Sequence, residues 1–282
     1  MNSAFDSKPR HPGAVQIALM LPAVMFSFVL SARSQTSSAT TSGKSSRDLS
    51  GVWAKPGQAT EGARYSGTSN VRPDRNIKRS EIEMTAEGLE KWNYNRQGIK
   101  NPNQNGNIEI DPLRWCIPTG PTRPVTSAEP WEIRMFPDMV MILFERDHWT
   151  RRIYMDGRDH PKTPKYTWMG HSIGKWDGDT LVVDTVFTKP RVWLDSLGHP
   201  LSDAMRITER ISRLDQNFLK YDTTFDDPKT YAKPWAEEKF FELLPEGFKI
   251  IEAVYCEEWL AVGETRGPEK VKYESYPGED SP

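Results

Sequence analysis

From residue 131 onward, apolar and polar residues alternate in short runs that are separated by turn residues. The alternation predicts β-strands, and the short connections place consecutive strands side by side and antiparallel. The clearest local signal is Asp177-Gly178, which predicts a two-residue hairpin turn. The predicted strands cover residues 131–136, 139–146, 149–155, 168–176, 179–187, 205–214, 218–225, 236–244 and 248–259.

The part of the chain before residue 131 has less regular structure. Residues 48–54 read as a first strand, and residues 55–80 are polar and rich in turn-forming residues. Thr85 is a good N-cap for a short helix near 85–96, in which Leu89 and Trp92 share one side.

These elements predict a mainly β fold, an antiparallel meander that closes into a lipocalin-like barrel. Closure removes the exposed edges that an open meander would leave. Gly51-Val52-Trp53 is similar to the Gly-x-Trp of lipocalin-type barrels, in which the tryptophan plugs one end. A two-sheet β-sandwich is the alternative, because it has the same strand pattern.

The N-terminus has the pattern of a signal peptide over residues 1–34. Lys8 and Arg10 precede an uncharged apolar run over residues 14–31, and Ala32 and Ser34 are small residues suited to a cleavage site. An uncleaved anchor is the alternative. Residues 35–47 read as a disordered Ser/Thr linker, residues 48–262 as a β-rich globular domain and residues 263–282 as a flexible tail. The expected location is therefore periplasmic or secreted, with no membrane span after signal removal.

Composition excludes some classes of partner. A formal net charge of -2 over 282 residues argues against nucleic acid or an anionic membrane surface as a partner. The ten tryptophans suit a core, a pocket wall or an interface.

Two cysteines, Cys116 and Cys256, allow one disulfide. An exported protein meets oxidising conditions, so we expect this pair to form. It would close a loop of roughly 140 residues, worth about 4–5 kcal/mol in the loop-entropy description. Two buried free thiols are the alternative, and no cysteine or histidine spacing indicates a zinc site.

Several long motifs resemble a family of uncharacterised secreted bacterial proteins. They include DLSGVW, DGRDHP, MGHSIGKWDGDTLVVDT, DDPKTYAKPW and YCEEW, and together they span nearly the whole domain. The resemblance implies secretion and a β-rich domain, and it brings no activity. The chain departs from it after Gly198-His199-Pro200, where similar chains continue with histidine and this one has Leu201.

The candidate catalytic residues are His171, Asp184 and Glu209. Each interrupts an apolar strand, so each is expected to face the barrel interior, where a carboxylate must be paired or hydrogen-bonded. A histidine beside a carboxylate is suited to proton transfer, whereas an internal set of salt bridges is the structural alternative. Further residues are predicted to bind a ligand: Arg152, His160, Trp168, Trp176, His199 and Asp222.

The pattern favours an exported barrel that binds a small apolar or amphipathic molecule in its cavity. The alternative is a secreted hydrolase or lyase that uses a His/carboxylate pair in that cavity. A third possibility is an envelope domain without a ligand. No cofactor is expected. A metal site at His160, His171 and His199 is not favoured, because their spacing is not diagnostic.

Overall fold

The computed structural model describes residues 45–56, 77–100 and 111–251. The predicted signal peptide, most of the linker and the predicted tail lie outside these ranges, so the domain boundaries stay predictions. Within the described residues, no helix is both long and apolar enough to cross a bilayer.

The fold is mainly β, as predicted, with ten strands and one α-helix in the described part of the chain. The helix, α1, is Ala86–Lys100. Thr85 caps it as expected, because its Oγ1 accepts a hydrogen bond from the Gly88 backbone N–H at 3.0 Å. The strands are β1 (Gly51–Ala54), β2 (Lys78–Arg79), β3 (Trp131–Met135), β4 (Met139–Phe144), β5 (Thr150–Tyr154), β6 (His171–Asp177), β7 (Thr180–Val186), β8 (Arg206–Arg213), β9 (Phe218–Asp226) and β10 (Trp235–Leu243).

All ten strands belong to one sheet, in the order β1-β3-β4-β5-β6-β7-β8-β9-β10-β2, and β1 also pairs with β10. Every strand except β2 therefore belongs to a closed nine-stranded barrel. A ring in which all neighbours are antiparallel needs an even number of strands. The parallel pair β5–β6 is what allows nine strands to close.

The parallel pair is a departure from the predicted all-antiparallel meander. The segment between β5 and β6, residues 155–170, runs back along the barrel wall before β6 begins, and β6 then pairs with β5 only through Ile153↔Ser172 and Tyr154↔Ile173. The next hairpin is shifted by one residue from the prediction, because Asp177 pairs with Thr180 and the turn is Gly178-Asp179.

The barrel is closed by the N-terminal strand β1 and not by the predicted strand 248–259. The described start of that segment, residues 248–251, has no strand, and the rest lies outside the described residues. Instead β1 and β2 pair with opposite ends of β10, at Trp53↔Leu243 and Glu237↔Arg79.

Side chains fill the barrel interior. Trp53 of the Gly-x-Trp motif is fully buried, and its indole Nε1 donates to the Leu49 carbonyl at 3.0 Å. Trp131 packs edge-on against Tyr221 and Phe241, with ring centroids 6.0 and 4.9 Å away. A barrel of this size is expected to be filled by side chains or to hold one small ligand, and in the described part of the chain large buried side chains, Trp131 and Tyr221 among them, occupy this interior.

The predicted disulfide is wrong. Cys116 is a free, half-buried cysteine at the end of the short 3-10 turn Pro112–Trp115, with no sulfur partner. Cys256 lies outside the described residues.

Candidate functional site

An open pocket lies on the outer surface of the barrel, beside the parallel strand pair. It has a volume of about 360 Å³, near the lower end of the range of ~300–1,000 Å³ usual for small-molecule sites. Strands β5 and β6, the segment 155–170 and Phe187 after β7 form its walls. The lining residues are Thr150, Arg152, Tyr154, Pro161, Lys165, Thr167, Met169, Gly170, His171, Ser172 and Phe187.

The segment that forms one wall of the pocket is tied to the end of β7. The Thr167 backbone N–H donates to the Phe187 carbonyl at 3.0 Å, and the Lys189 N–H donates to the Thr167 carbonyl at 2.9 Å. Gly170 has φ 67°, and an added Cβ would lie 2.7 Å from the Val186 carbonyl oxygen. Only glycine fits this left-handed approach without strain, so Gly170 fixes the start of β6 and the position of His171.

His171 and Asp184 share the outer face and are connected through His160. The Nδ1 atoms of His160 and His171 are 2.8 Å apart, at hydrogen-bond distance. Nε2 of His160 lies 3.3 Å from Oδ2 of Asp184. The predicted histidine–carboxylate pair is therefore a row of three residues, and the DGRDHP segment supplies its middle member.

The environment of this row sets its protonation. Burial, together with His160 and Arg158, lowers the pKa of His171 below its usual value. Burial acts to raise the pKa of Asp184, but the hydrogen bonds and charge of Arg206 and the electrostatic attraction of His160 outweigh it, and the net pKa is lowered. At neutral pH the structure thus favours a neutral His171 and an ionised Asp184.

Unpaired positive charge faces the pocket. Arg152 and Lys165 line it, and neither forms an ion pair or hydrogen bond with any described residue. None of the described lining residues is acidic. Arg158, by contrast, is bound by Asp156, with Nε to Oδ1 at 2.9 Å, and its guanidinium lies 3.9 Å from the centre of the Tyr154 ring.

Glu209 is on the other side of the barrel wall. It is fully buried in the interior, where both of its carboxylate oxygens accept hydrogen bonds from Arg151. Arg151 also donates to Thr185 Oγ1 at 2.8 Å and to Ser172 Oγ at 3.1 Å. Glu209 is therefore separated from His171, and its surroundings match the internal salt bridge that the sequence left open.

The interior expectation for His171 and Asp184 is wrong. Both face outward, with Ile173 and Val182 beside them, while Ser172 and Thr185 face inward. The small residues of β6 are the inner ones because space is short there. An added Cβ on Gly174 would lie 2.6 Å from Met155 Sδ and 2.9 Å from Ile153 Cγ2.

His199 belongs to a separate cluster. Its Nδ1 is 2.7 Å from Oδ2 of Asp195, which also accepts from Arg79 at 2.8 Å. The imidazole lies between the rings of Trp92 and Trp235, each with its centroid 5.6 Å away. His199 is buried and does not line the pocket.

The other predicted ligand residues are also placed elsewhere. Trp168 packs on the second apolar cluster of the core, and Trp176 packs on the main one. Asp222 is bound on the outer face of β9 by Lys220 at 2.9 Å. Of the predicted ligand residues, only Arg152 lines the pocket. His160 does not line it but contacts the lining residue His171.

Sequence reasoning missed Tyr154, Lys165, Met169 and Phe187 as pocket residues. Lys165 lies in KTPKYTW, which reads as a solvated loop because the chain has no net positive charge. No signal in the sequence places that loop beside β5, since the contact depends on the parallel pairing.

No family model, characterised protein or solved structure matches this chain. The barrel is compatible with the lipocalin-like expectation, but the family resemblance stays a prediction. Among the described residues, no group of three or more His, Cys, Asp or Glu side chains is arranged to hold a metal ion.

Proposed function

We propose that this barrel binds a small organic anion with an apolar or aromatic part, and that the site is the outer pocket beside His171. The observation that carries the proposal is the pair of unneutralised cations, Arg152 and Lys165, in a pocket without acidic lining residues. Most other arginines of the described chain are held by carboxylates. Two free cations facing one concave surface are suited to an anion, because Arg offers a fork to a carboxylate and Lys a point charge.

The apolar part of the ligand is inferred from the other walls. Tyr154, Met169 and Phe187 bring two aromatic rings and a thioether to the pocket. Small-molecule sites combine such apolar surface with a few polar groups that fix orientation. This ligand is amphipathic, as the sequence suggested, but its place is the outer wall, because side chains fill the interior.

Fluorescence of 1-anilinonaphthalene-8-sulfonate, an aromatic anion, tests the proposal. Arg152→Ala and Lys165→Ala should each weaken binding about 5- to 10-fold, which corresponds to about 1–1.4 kcal/mol. Lys162→Ala is the matched control, since Lys162 is exposed on the same segment and does not line the pocket. Phosphate should compete with the dye.

Equal affinity in all three variants would show that the dye binds elsewhere and would refute the site. Near-ultraviolet circular dichroism of each variant checks that the dye does not report a loosened core.

We also propose that the protein is exported. The support is the uncharged run over residues 14–31 behind a basic start. N-terminal sequencing of the protein recovered from the periplasm or medium should begin near residue 35. A mature chain that begins at Met1 in the cytosol would contradict export.

A further inference from the structure

We propose that His171 is a general base that removes a proton from a carbon next to a carbonyl group in the bound anion, with His160 and Asp184 as positioning residues. This inference rests on the proposed anion site. The substrate class is a small 2-oxo carboxylate with an apolar side chain.

One proton lies between the two histidines. A contact of 2.8 Å between two Nδ1 atoms requires that one ring donates and the other accepts. If His160 donated, its neutral ring would turn the lone pair of Nε2 toward the Asp184 carboxylate 3.3 Å away, which is repulsive. If His171 donates, the proton on Nε2 of His160 is attracted to that carboxylate across the same 3.3 Å contact, which is electrostatic because Nε2 makes no hydrogen bond there. Asp184 therefore favours donation by His171.

This tautomer determines which nitrogen of His171 can act as a base. When His171 carries its proton on Nδ1, its Nε2 has a free lone pair. Among the described residues the hydrogen bond of this ring is made through Nδ1, none is made by Nε2, and His171 lines the pocket. An orienting partner on one imidazole nitrogen and an open acceptor on the other is the arrangement that acid–base histidines use.

Two hydroxyl groups near His171 are engaged elsewhere, since Thr167 donates to the Gly170 carbonyl at 3.0 Å and Ser172 belongs to the buried Arg151 network. The geometry thus favours direct proton transfer from the ligand over activation of Thr167 or Ser172 as a nucleophile.

The two cations of the pocket would bind the charged oxygens of the substrate. The Arg152 fork would hold the carboxylate and the Lys165 ammonium would stand at the carbonyl oxygen. The C–H bond breaks, its electron pair moves to form the carbon–carbon double bond of the enolate, and the carbonyl π electrons move onto oxygen. The proton is held on Nε2 of His171 and is returned to carbon in the reverse step. No redox partner is needed.

The test uses phenylpyruvate in deuterated water, with loss of the C3 proton signal followed by NMR. Wild-type protein should exchange these protons at least 100-fold faster than buffer, in line with the usual contribution of a general base. His171→Gln should return the rate to that of buffer, whereas Lys162→Ala, which lies on the same segment outside the pocket, should keep the wild-type rate.

The positioning role is tested by the pH profile. The charged and titratable groups around His171 are Tyr154 from β5, Arg158 and His160 from the segment 155–170, and Arg152 and Lys165 of the pocket wall. Asp184→Asn removes the negative charge behind His160, so the acidic limb of the rate profile should move to lower pH and the maximum rate should fall about tenfold. Asp177→Asn, which breaks a comparable Asp–Arg pair to Arg210 at 2.9 Å outside the pocket, should leave the profile in place.

Two outcomes overturn the inference. Exchange no faster than buffer, in a protein that binds the dye as expected, refutes the base and leaves the anion site standing. Acceleration that survives in His171→Gln assigns the chemistry elsewhere. A readout that needs no variant is the 15N NMR spectrum of the imidazoles, in which His171 must carry its proton on Nδ1, and a proton on Nε2 would contradict the tautomer.

Discussion

Glu209→Gln removes the negative charge from the buried ion pair inside the barrel. The shape of the side chain stays nearly the same. In the wild type, Glu209 accepts hydrogen bonds from Arg151 through both oxygens and from the Tyr221 hydroxyl. Glu209 and Arg151 both have no exposed side-chain surface. The charge of Glu209 raises the pKa of Arg151 against the opposing effect of burial, so this guanidinium stays charged.

The size of the effect follows from this burial. Glutamine leaves a charged guanidinium in the interior with neutral partners only, and its amide nitrogen would face another donor. Removal of one member of a buried pair costs about 3–5 kcal/mol of the free energy of unfolding. With a urea m value of about 2.5 kcal/mol/M, the midpoint should fall by roughly 1.2–2 M with m unchanged.

Urea unfolding followed by tryptophan fluorescence is the assay. Asp222→Asn is the matched control, because Asp222 is bound by Lys220 on the outer face of the neighbouring strand and should cost no more than about 0.5 kcal/mol. The double change Arg151→Met with Glu209→Met should recover much of the loss, since apolar replacements of buried pairs are often neutral. A loss below about 1 kcal/mol for Glu209→Gln, or an equal loss in the control, would refute the reasoning.

Three further predictions concern stability. Gly174→Ala should lower the free energy of unfolding by about 1–3 kcal/mol in urea titrations, because its Cβ would meet Met155 and Ile153 in a filled interior; an unchanged midpoint would show spare room there. Asp227→Ala should cost about 1–3 kcal/mol by the same measurement, because it leaves the buried Ser202 N–H, now 2.6 Å from the carboxylate, without an acceptor, and a neutral result would contradict this. Because the pKa of His171 is lowered in the folded protein, the unfolded chain binds more protons than the folded one below about pH 6.5. The free energy of unfolding should therefore fall as pH drops through this range, and it should fall less in His171→Gln. Parallel curves of stability against pH for the two proteins would exclude this contribution.

The strands from residue 131 to residue 243 could be predicted because their signals are local. Alternation and turn residues determine β3, β4 and the later hairpins within a few positions. Gly178 shows the limit of this approach, since the Asp-Gly signal places a turn but not its register within one residue.

The strand pattern predicts a closed barrel, but it does not predict which strands close it. That depends on contacts between distant parts of the chain. Nothing in residues 149–176 shows that β5 and β6 run parallel, because both segments look like any pair of half-buried strands. The partners of β10 come from residues 51–54 and 78–79, which only the folded chain brings close.

The error over which face of β6 and β7 points inward has a physical cause. Apolar residues occur on both faces of these strands, so hydrophobicity does not identify the interior. Arg151 identifies the interior, because a buried guanidinium needs hydroxyl partners and space, and Ser172 and Thr185 provide both. The inward position of Arg151, with Ser172 beside it, therefore explains why His171 faces outward.

The short pairing between β5 and β6 has a consequence for motion. Two residue pairs hold this seam, as many as hold β1 to β10, whereas β8 and β9 share eight, so it is one of two places where the barrel should open most easily. Its outer side carries the pocket and its inner side carries Ser172 beside Arg151. A molecule that contacts both Tyr154 and His171 would hold β5 and β6 together from outside. The backbone amides of Ser172 and Ile173 would then show slower hydrogen–deuterium exchange.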